Sequence, residues 1–166
     1  NSTVKIVAVI PARMESTRFP SKILFPLYKL PMIEHVRRRL QLSKKIHDVI
    51  VTTKNKRIEK IIKSFHGKVI LTKKKHFNGT SRVSEITKKL NCTHVLIVQG
   101  DEPLILPSQI DLIAKKIILK PNIDIWCATS ILKNEKDLDR KSIVKCIVDN
   151  NKIYYFFRRS PSHLDF

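Results

Sequence analysis

Ile6-Val-Ala-Val-Ile10 runs directly into Pro11-Ala-Arg-Met-Glu-Ser-Thr-Arg-Phe-Pro-Ser-Lys22. The first stretch is short, apolar and rich in β-branched residues, and reads as a strand. The second is a proline-bounded loop that carries Arg13, Arg18 and Lys22 to the end of that strand, where the three cations can converge on a polyanion. It has neither the Gly-x-x-x-x-Gly-Lys spacing of a P-loop nor the Gly-x-Gly-x-x-Gly of a dinucleotide binder. An anion site here would therefore rest on long side chains more than on a glycine cradle, which points to a nucleotide enzyme of another kind. The bland alternative is three surface cations on a turn.

Working outward, the same pattern of a β-rich apolar run followed by a segment of helical period recurs along the chain. It predicts an α/β fold with a mainly parallel sheet. Strands are expected at 6–10, 49–53, 69–72, 95–98, 125–130, 143–148 and 153–157. Between them, Ile33, Val36 and Leu40 mark one helical face behind Pro31, and Ile58, Ile61, Ile62 and Phe65 mark another behind a capping Asn55. Val83, Ile86 and Leu90 repeat the period, as do Ile110, Ile113, Ala114, Ile117 and Ile118, with Ser108 and Asp111 as a capping pair and the aspartate structural. Asn150-Asn151 reads as a hairpin turn, so the sheet is expected to end in antiparallel strands. With 166 residues and no linker or repeat, one compact domain over 1–166 is expected.

Composition narrows the function classes. No apolar run approaches the roughly 18 residues that cross a bilayer, and the chain enters a strand at once, so it reads as cytoplasmic and not membrane-bound. Cys92, Cys127 and Cys146 form no Cys-x-x-Cys pair, and the last two fall in expected buried strands, where a thiol acts as a small apolar group. The six histidines are scattered, which disfavours zinc. The net charge of +19 raises nucleic-acid binding, but the lysines are spread over element ends and helix faces without a stripe of interleaved aromatics. The bland alternative is a codon bias toward Lys, Ile and Asn, which would yield a basic protein without a polyanionic partner.

There are only three glycines in the chain, and their positions are informative. Gly67 follows a helical segment and reads as its C-cap. Gly79, in His76-Phe-Asn-Gly-Thr-Ser-Arg82, and Gly100, in Gln99-Gly-Asp-Glu-Pro103, lie on loops after strands. In an open parallel sheet ligands bind at the strands' carboxyl ends, so three loops carry distinctive residues to one edge. Asp101 at a strand end can hold Mg²⁺, which takes oxygen ligands and bridges protein to phosphates, or can simply close an Asx-turn. Thr80 or Ser81 can cap the helix expected from about Arg82, leaving backbone N–H groups and the Asn78 amide to face a ligand. The alternative there is an ordinary cap beside a glycine turn.

Taken in order, Pro-Ala-Arg-x-x-Ser-Thr-Arg-x-Pro-x-Lys (Pro11 to Lys22), Pro-Met-Ile-x-His-Val (Pro31 to Val36), His-x-x-Gly-Thr-x-Arg (His76 to Arg82) and Val-Gln-Gly-Asp-Glu-Pro (Val98 to Pro103) resemble the 3-deoxy-manno-octulosonate (Kdo) cytidylyltransferase family. The resemblance implies a three-layer, Rossmann-like nucleotidyltransferase fold. It also implies an enzyme that joins CTP to Kdo, releasing pyrophosphate, for lipopolysaccharide assembly. Carried onto matching positions, Ala12, Arg13, Arg18 and Lys22 would hold the nucleotide, with Arg13, Lys22 and Asp101 catalytic. Asn78 and Gly79 would lie by the cytosine, Arg82 would support that pocket, Asp101 would bind Mg²⁺ and Gln99 would face the sugar acid. Lys145 and Arg158 would contact substrate or shape the surface of a homodimer.

The chain departs from the family at Ser21, where a glycine is usual, and at Asn78, where a serine is usual. Serine restricts φ in the phosphate loop, and the asparagine amide offers both donor and acceptor where a hydroxyl is expected. Family members continue beyond Phe166, so a second metal-binding aspartate, much of the sugar site and part of the dimer contact are expected outside this sequence. Two other readings stay open. One is a nucleotidyltransferase of the spore-coat polysaccharide type, which shares the motif at Ala12 to Lys22; the other is a basic nucleic-acid-binding module.

Overall fold

The computed structural model describes residues 3–14 and 21–159. In chain order its elements are β1 (Ile6–Pro11), β2 (Pro26–Leu27), β3 (Leu30–Pro31), α1 (Met32–Gln41), β4 (Asp48–Thr53), α2 (Lys56–Ser64), β5 (Lys68–Leu71), α3 (Gly79–Ile86), β6 (His94–Ile97), α4 (Pro107–Leu119), β7 (Lys145–Asp149) and β8 (Lys152–Phe157). The single unit expected from length is divided into two compact units, Asn1–Trp126 and Cys127–Phe166.

In the first unit, four strands form a parallel sheet in the order β5-β4-β1-β6. β1 is buried at every position, and its alternation divides it between the two faces of the sheet. Ala8 and Ile10 face Ile33, Val36 and Leu40 of α1 together with Ile58 and Ile62 of α2. Val7 and Val9 pack with Val83 and Ile86 of α3, while Ile6 meets Ala114 and Ile117 of α4. Helices thus cover both faces, which is why β1 reads as an unbroken apolar run where a half-solvated strand would alternate. The α/β, three-layer expectation holds for this unit.

Local chemistry sets the element ends. Asn55 accepts the N–H groups of Arg57 and Ile58 and caps α2, as its side chain suggests. The far end of α2 closes in a Schellman turn, with His66 N–H on the Lys63 carbonyl and Gly67 N–H on that of Ile62. Here the structure corrects the glycine reading. The left-handed residue is His66, at φ 58°, while Gly67 is needed because a Cβ would lie 2.4 Å from Ile62 Cγ2. Gln109, not Ser108, returns to the start of α4 by accepting the Leu106 N–H. Asp111 is structural in another way, taking the Ser43 hydroxyl and the Lys45 N–H and so tying α4 to the α1–β4 loop.

The second unit holds the antiparallel pair β7–β8, a sheet of its own. Asn150 and Asn151 turn it at φ 48° and 60°, the two positive values of a type I′ turn. No strand forms at 125–130. Apolar runs make strands only where a neighbour takes up their backbone groups, and Ile125 and Ile131 stand 85% and 90% exposed. The buried-thiol reading changes accordingly, since Cys127 is exposed and Cys146 only half-buried. Among the described residues no helix is long and apolar enough to cross a membrane.

Candidate active site

Three of the parallel strands follow one another to one side in the order β1, β4, β5, and the next, β6, returns to the other side of β1. The strand order therefore reverses between β1 and β6, and open α/β sheets bind ligands in the crevice outside the carboxyl ends at such a point. A cleft of about 260 Å³ lies there. The end of β1 and the turn after it give it Pro11, Ala12 and Arg13, the turn after β6 gives it Gln99, Gly100 and Asp101, and the loop after β5 with the first residue of α3 adds His76 to Gly79. Lys22, Ile23 and Arg82 complete the lining.

Each side chain is held by its element. The Ala12 N–H donates to the Thr52 carbonyl at 2.8 Å, so the turn after β1 continues its pairing with β4. Gly79 opens α3 directly against that turn: a Cβ there would lie 2.8 Å from Pro11 Cγ and 3.5 Å from Gln99 Oε1. Only a glycine permits this approach of helix to strand end. The helix starts at Gly79, earlier than expected, and its cap is Asn78, whose Oδ1 accepts the Ser81 N–H at 2.8 Å. Because the amide oxygen is spent on the cap, Asn78 retains its NH₂ donor for other partners. Arg82, on the first turn of α3, is buried and donates to Thr72 Oγ1 at 2.9 Å.

The electrostatics concentrate at the cleft's other wall. Lys22 Nζ sits 2.8 Å from Asp101 Oδ2, with both side chains about 40% exposed (41% and 43%). Such a pair adds little to stability and both partners can exchange it for a ligand. The neighbouring Glu102 carboxyl is pushed up, first by desolvation and then by the Asp101 charge. Arg13 reaches across to the Phe77 carbonyl, its Nη1 3.4 Å away. Ser21, just before Lys22, holds φ at 59°. The departure from glycine thus leaves a serine in left-handed backbone.

Of the residues singled out in the sequence, Ala12, Arg13, Lys22, Asn78, Gly79, Arg82, Gln99 and Asp101 share this cleft. Arg18 lies outside the described residues. Lys145 and Arg158 belong to the second unit, where Lys145 is buried and its ammonium donates to the carbonyls of Arg140 and Arg158. Arg158 donates in turn to the Lys141 and Ser142 carbonyls. Sequence reasoning missed His76 and Phe77 as lining residues and Glu85 behind them. Its available signal was spacing, since Glu85 lies three residues beyond Arg82 on α3, the distance that puts two side chains on one face.

As metal donors, the described residues offer no group of three or more His, Cys, Asp and Glu side chains. In the cleft they offer the carboxylate of Asp101, already holding one cation in Lys22. That donor set fits Mg²⁺, which binds through one or two carboxylates and is completed by water and substrate phosphates.

Comparison with known proteins follows the same line. Residues 7–165 match the family described as cytidylyltransferase. The chain is 35% identical over 95% of its length to a 3-deoxy-manno-octulosonate cytidylyltransferase from Geobacter metallireducens, and 38% identical over 96% to one from Thermodesulfovibrio yellowstonii. It spans 62% and 65% of those relatives' lengths. A solved structure of CMP:2-keto-3-deoxy-manno-octonic acid synthetase complexed with CTP superposes with a TM-score of 0.83 at 31% identity, over 93% of this chain and 64% of that one. The match covers nearly the whole sequence and extends to the fold, and the chain belongs to the cytidylyltransferase family.

Proposed function

We propose that the protein transfers the cytidylyl group of CTP to the anomeric hydroxyl of Kdo or a closely related 3-deoxy sugar acid, releasing pyrophosphate, in support of lipopolysaccharide assembly. One observation carries this reading: three loops far apart in sequence bring cations, a glycine-opened helix and an exposed carboxylate to one cleft at the reversal of the strand order. Arg13 and Lys22 supply charge for the triphosphate. The N-terminus of α3, with Asn78 and Gly79, receives the base, and Arg82 backs it from below. Gln99 is assigned to the sugar acid, and a homodimer is the assembly proposed.

In this mechanism the sugar hydroxyl oxygen bonds to the α-phosphorus while the bond from that phosphorus to the bridging oxygen of pyrophosphate breaks. The hydroxyl proton passes to solvent, and the protein contributes in-line positioning and fixed positive charge. Asp101 would hold Mg²⁺, whose chemistry when bound is to neutralise phosphate charge. Lys22 would then leave Asp101 for the phosphates.

Calorimetric titration with CTP, UTP, ATP and GTP, with and without Mg²⁺ and at two salt concentrations, tests the nucleotide half. CTP preference that survives raised salt is expected. Equal binding of all four that collapses with salt would mean bare charge is acting, as in the nucleic-acid reading. Pyrophosphate release across a panel of 3-deoxy sugar acids then tests the acceptor.

A further inference from the structure

We infer that Glu85 is a positioning residue for the nucleoside half of the cleft, holding the loop of residues 73–78 at the height at which it meets the base. The inference rests on the reading of the cleft as a CTP site. It is carried by a cluster of hydrogen bonds behind the lining residues. From the last turn of α3, Glu85 turns its carboxylate back onto the loop that precedes the helix. Oε1 accepts the Lys73 N–H at 2.7 Å, and Oε2 accepts the Lys74 N–H at 3.2 Å and the His76 Nε2–H at 2.6 Å.

Side-chain burial gives this loop little hold. Lys73, Lys74, Lys75, Phe77 and Asn78 are all exposed, and Phe77, the one large apolar side chain there, is 91% exposed. An apolar anchor is absent from these six positions, so the loop's place depends on polar contacts. The His76 and Glu85 side chains are the shielded pair, 10% and 20% exposed. From His76 the restraint passes along the chain to Phe77, whose carbonyl meets Arg13, then to Asn78 at the helix cap and Gly79 against Pro11.

The carboxylate is suited to a permanent clamp. The Lys73 amide first, then His76 and the Lys74 amide, hold Glu85 down to about 2, as expected of a carboxylate that accepts several donors. It stays ionised, and the clamp closed, throughout the physiological range. Glu85 touches neither Lys22 nor Asp101 on the phosphate wall, and Arg13, the other cation assigned to the triphosphate, meets the loop at the Phe77 main-chain carbonyl and not at Glu85. Loss of the clamp should therefore weaken recognition of the nucleoside and spare that of phosphate.

The test is calorimetric binding of CTP and of inorganic tripolyphosphate to the full chain and to Glu85→Gln. The carboxamide keeps the size of the side chain but loses the charge and one acceptor. CTP binding should fall about tenfold or more, the loss of one or two charge-assisted hydrogen bonds, with tripolyphosphate binding held within about twofold. A merely structural role would lower both together, and that result, or no change in either, overturns the inference. If Glu85→Gln does not melt cooperatively, His76→Gln decides, with the same selective loss of CTP expected and a parallel loss overturning. A wild-type chain that shows no preference for CTP removes the nucleotide reading itself, and the inference with it.

Discussion

The two units of this chain spend their apolar residues in opposite ways. In the first, β1 has helices on both faces and exposes none of its six positions. In the second, the β7–β8 hairpin leaves Tyr154, Tyr155 and Phe156 exposed at 65%, 57% and 52%, and Ile147 and Val148 at 42% and 49%. An isolated two-stranded hairpin is marginal in water, and this one is held by polar staples: Lys145 Nζ on two carbonyls and 5.8 Å from the centre of the Phe157 ring, and Arg158 on two more. The difference teaches that the candidate cleft is built where burial is in surplus. A parallel sheet covered on both faces can fix several loops against one another.

The sharpest way to break this comparison is to truncate one large apolar side chain to alanine in each unit. Ile10→Ala removes a fully buried side chain beneath the cleft and should cost about 3–4 kcal/mol, transfer and cavity terms together. Tyr154→Ala should stay within about 0.5 kcal/mol, as exposed substitutions do. Denaturant midpoints at constant slope measure both, and a comparable loss at Tyr154 would mean that the hairpin's exposed face is covered in solution.

Next in size is the polar staple. Lys145→Met keeps length but leaves the Arg140 and Arg158 carbonyls without their donor, at a cost of about 1–3 kcal/mol for the second unit. Hydrogen exchange resolves where that falls. Amides of β7 and β8 should exchange faster while those of β1 stay protected, since a segment opens locally when the bonds that hold it are removed. Equal acceleration in β1 would show that the two units do not open independently.

Within the first unit, Glu85 tests whether polar restraint matters even beside a full core. Its folded carboxyl is depressed from 4.5 to about 2, so its contribution is complete above the unfolded value, near 4.5, and is lost as pH falls through the folded value. Wild type and Glu85→Gln should therefore differ most at neutral pH and converge between about pH 4.5 and 2. Melting curves along that range check it, and a gap that does not close would remove the clamp as its cause.

How much of this is legible in the sequence follows the same division. The four parallel strands announce themselves because double-sided burial demands continuous apolar runs, and the cleft residues do so because strand-end loops converge by topology. The run at 125–130 misleads because composition cannot say whether a partner strand exists. Asn78 does not stand out as the cap because Thr80 and Ser81 offer the same chemistry two and three residues later, and Glu85 does not because its meaning lies in three contacts across a loop. The serine at 21 is conspicuous as a departure, but only the structure shows that it keeps the left-handed backbone.

That serine yields the smallest prediction and refines the comparison at the level of backbone strain. Both units hold non-glycine residues at positive φ: Ser21 at 59° in the first, Asn150 and Asn151 at 48° and 60° in the second. Asparagine tolerates this region because its short amide can bond locally, whereas serine bears more of the roughly 1–2 kcal/mol steric cost. Ser21→Gly should therefore raise stability by about 1 kcal/mol, offset in part by the entropy glycine loses on folding. Asn151→Gly, which makes the favoured Asn-Gly pair of a type I′ turn, should gain less than about 0.5 kcal/mol. Thermal melts of the two variants decide the order. A larger gain at the hairpin would mean that Ser21 is not strained.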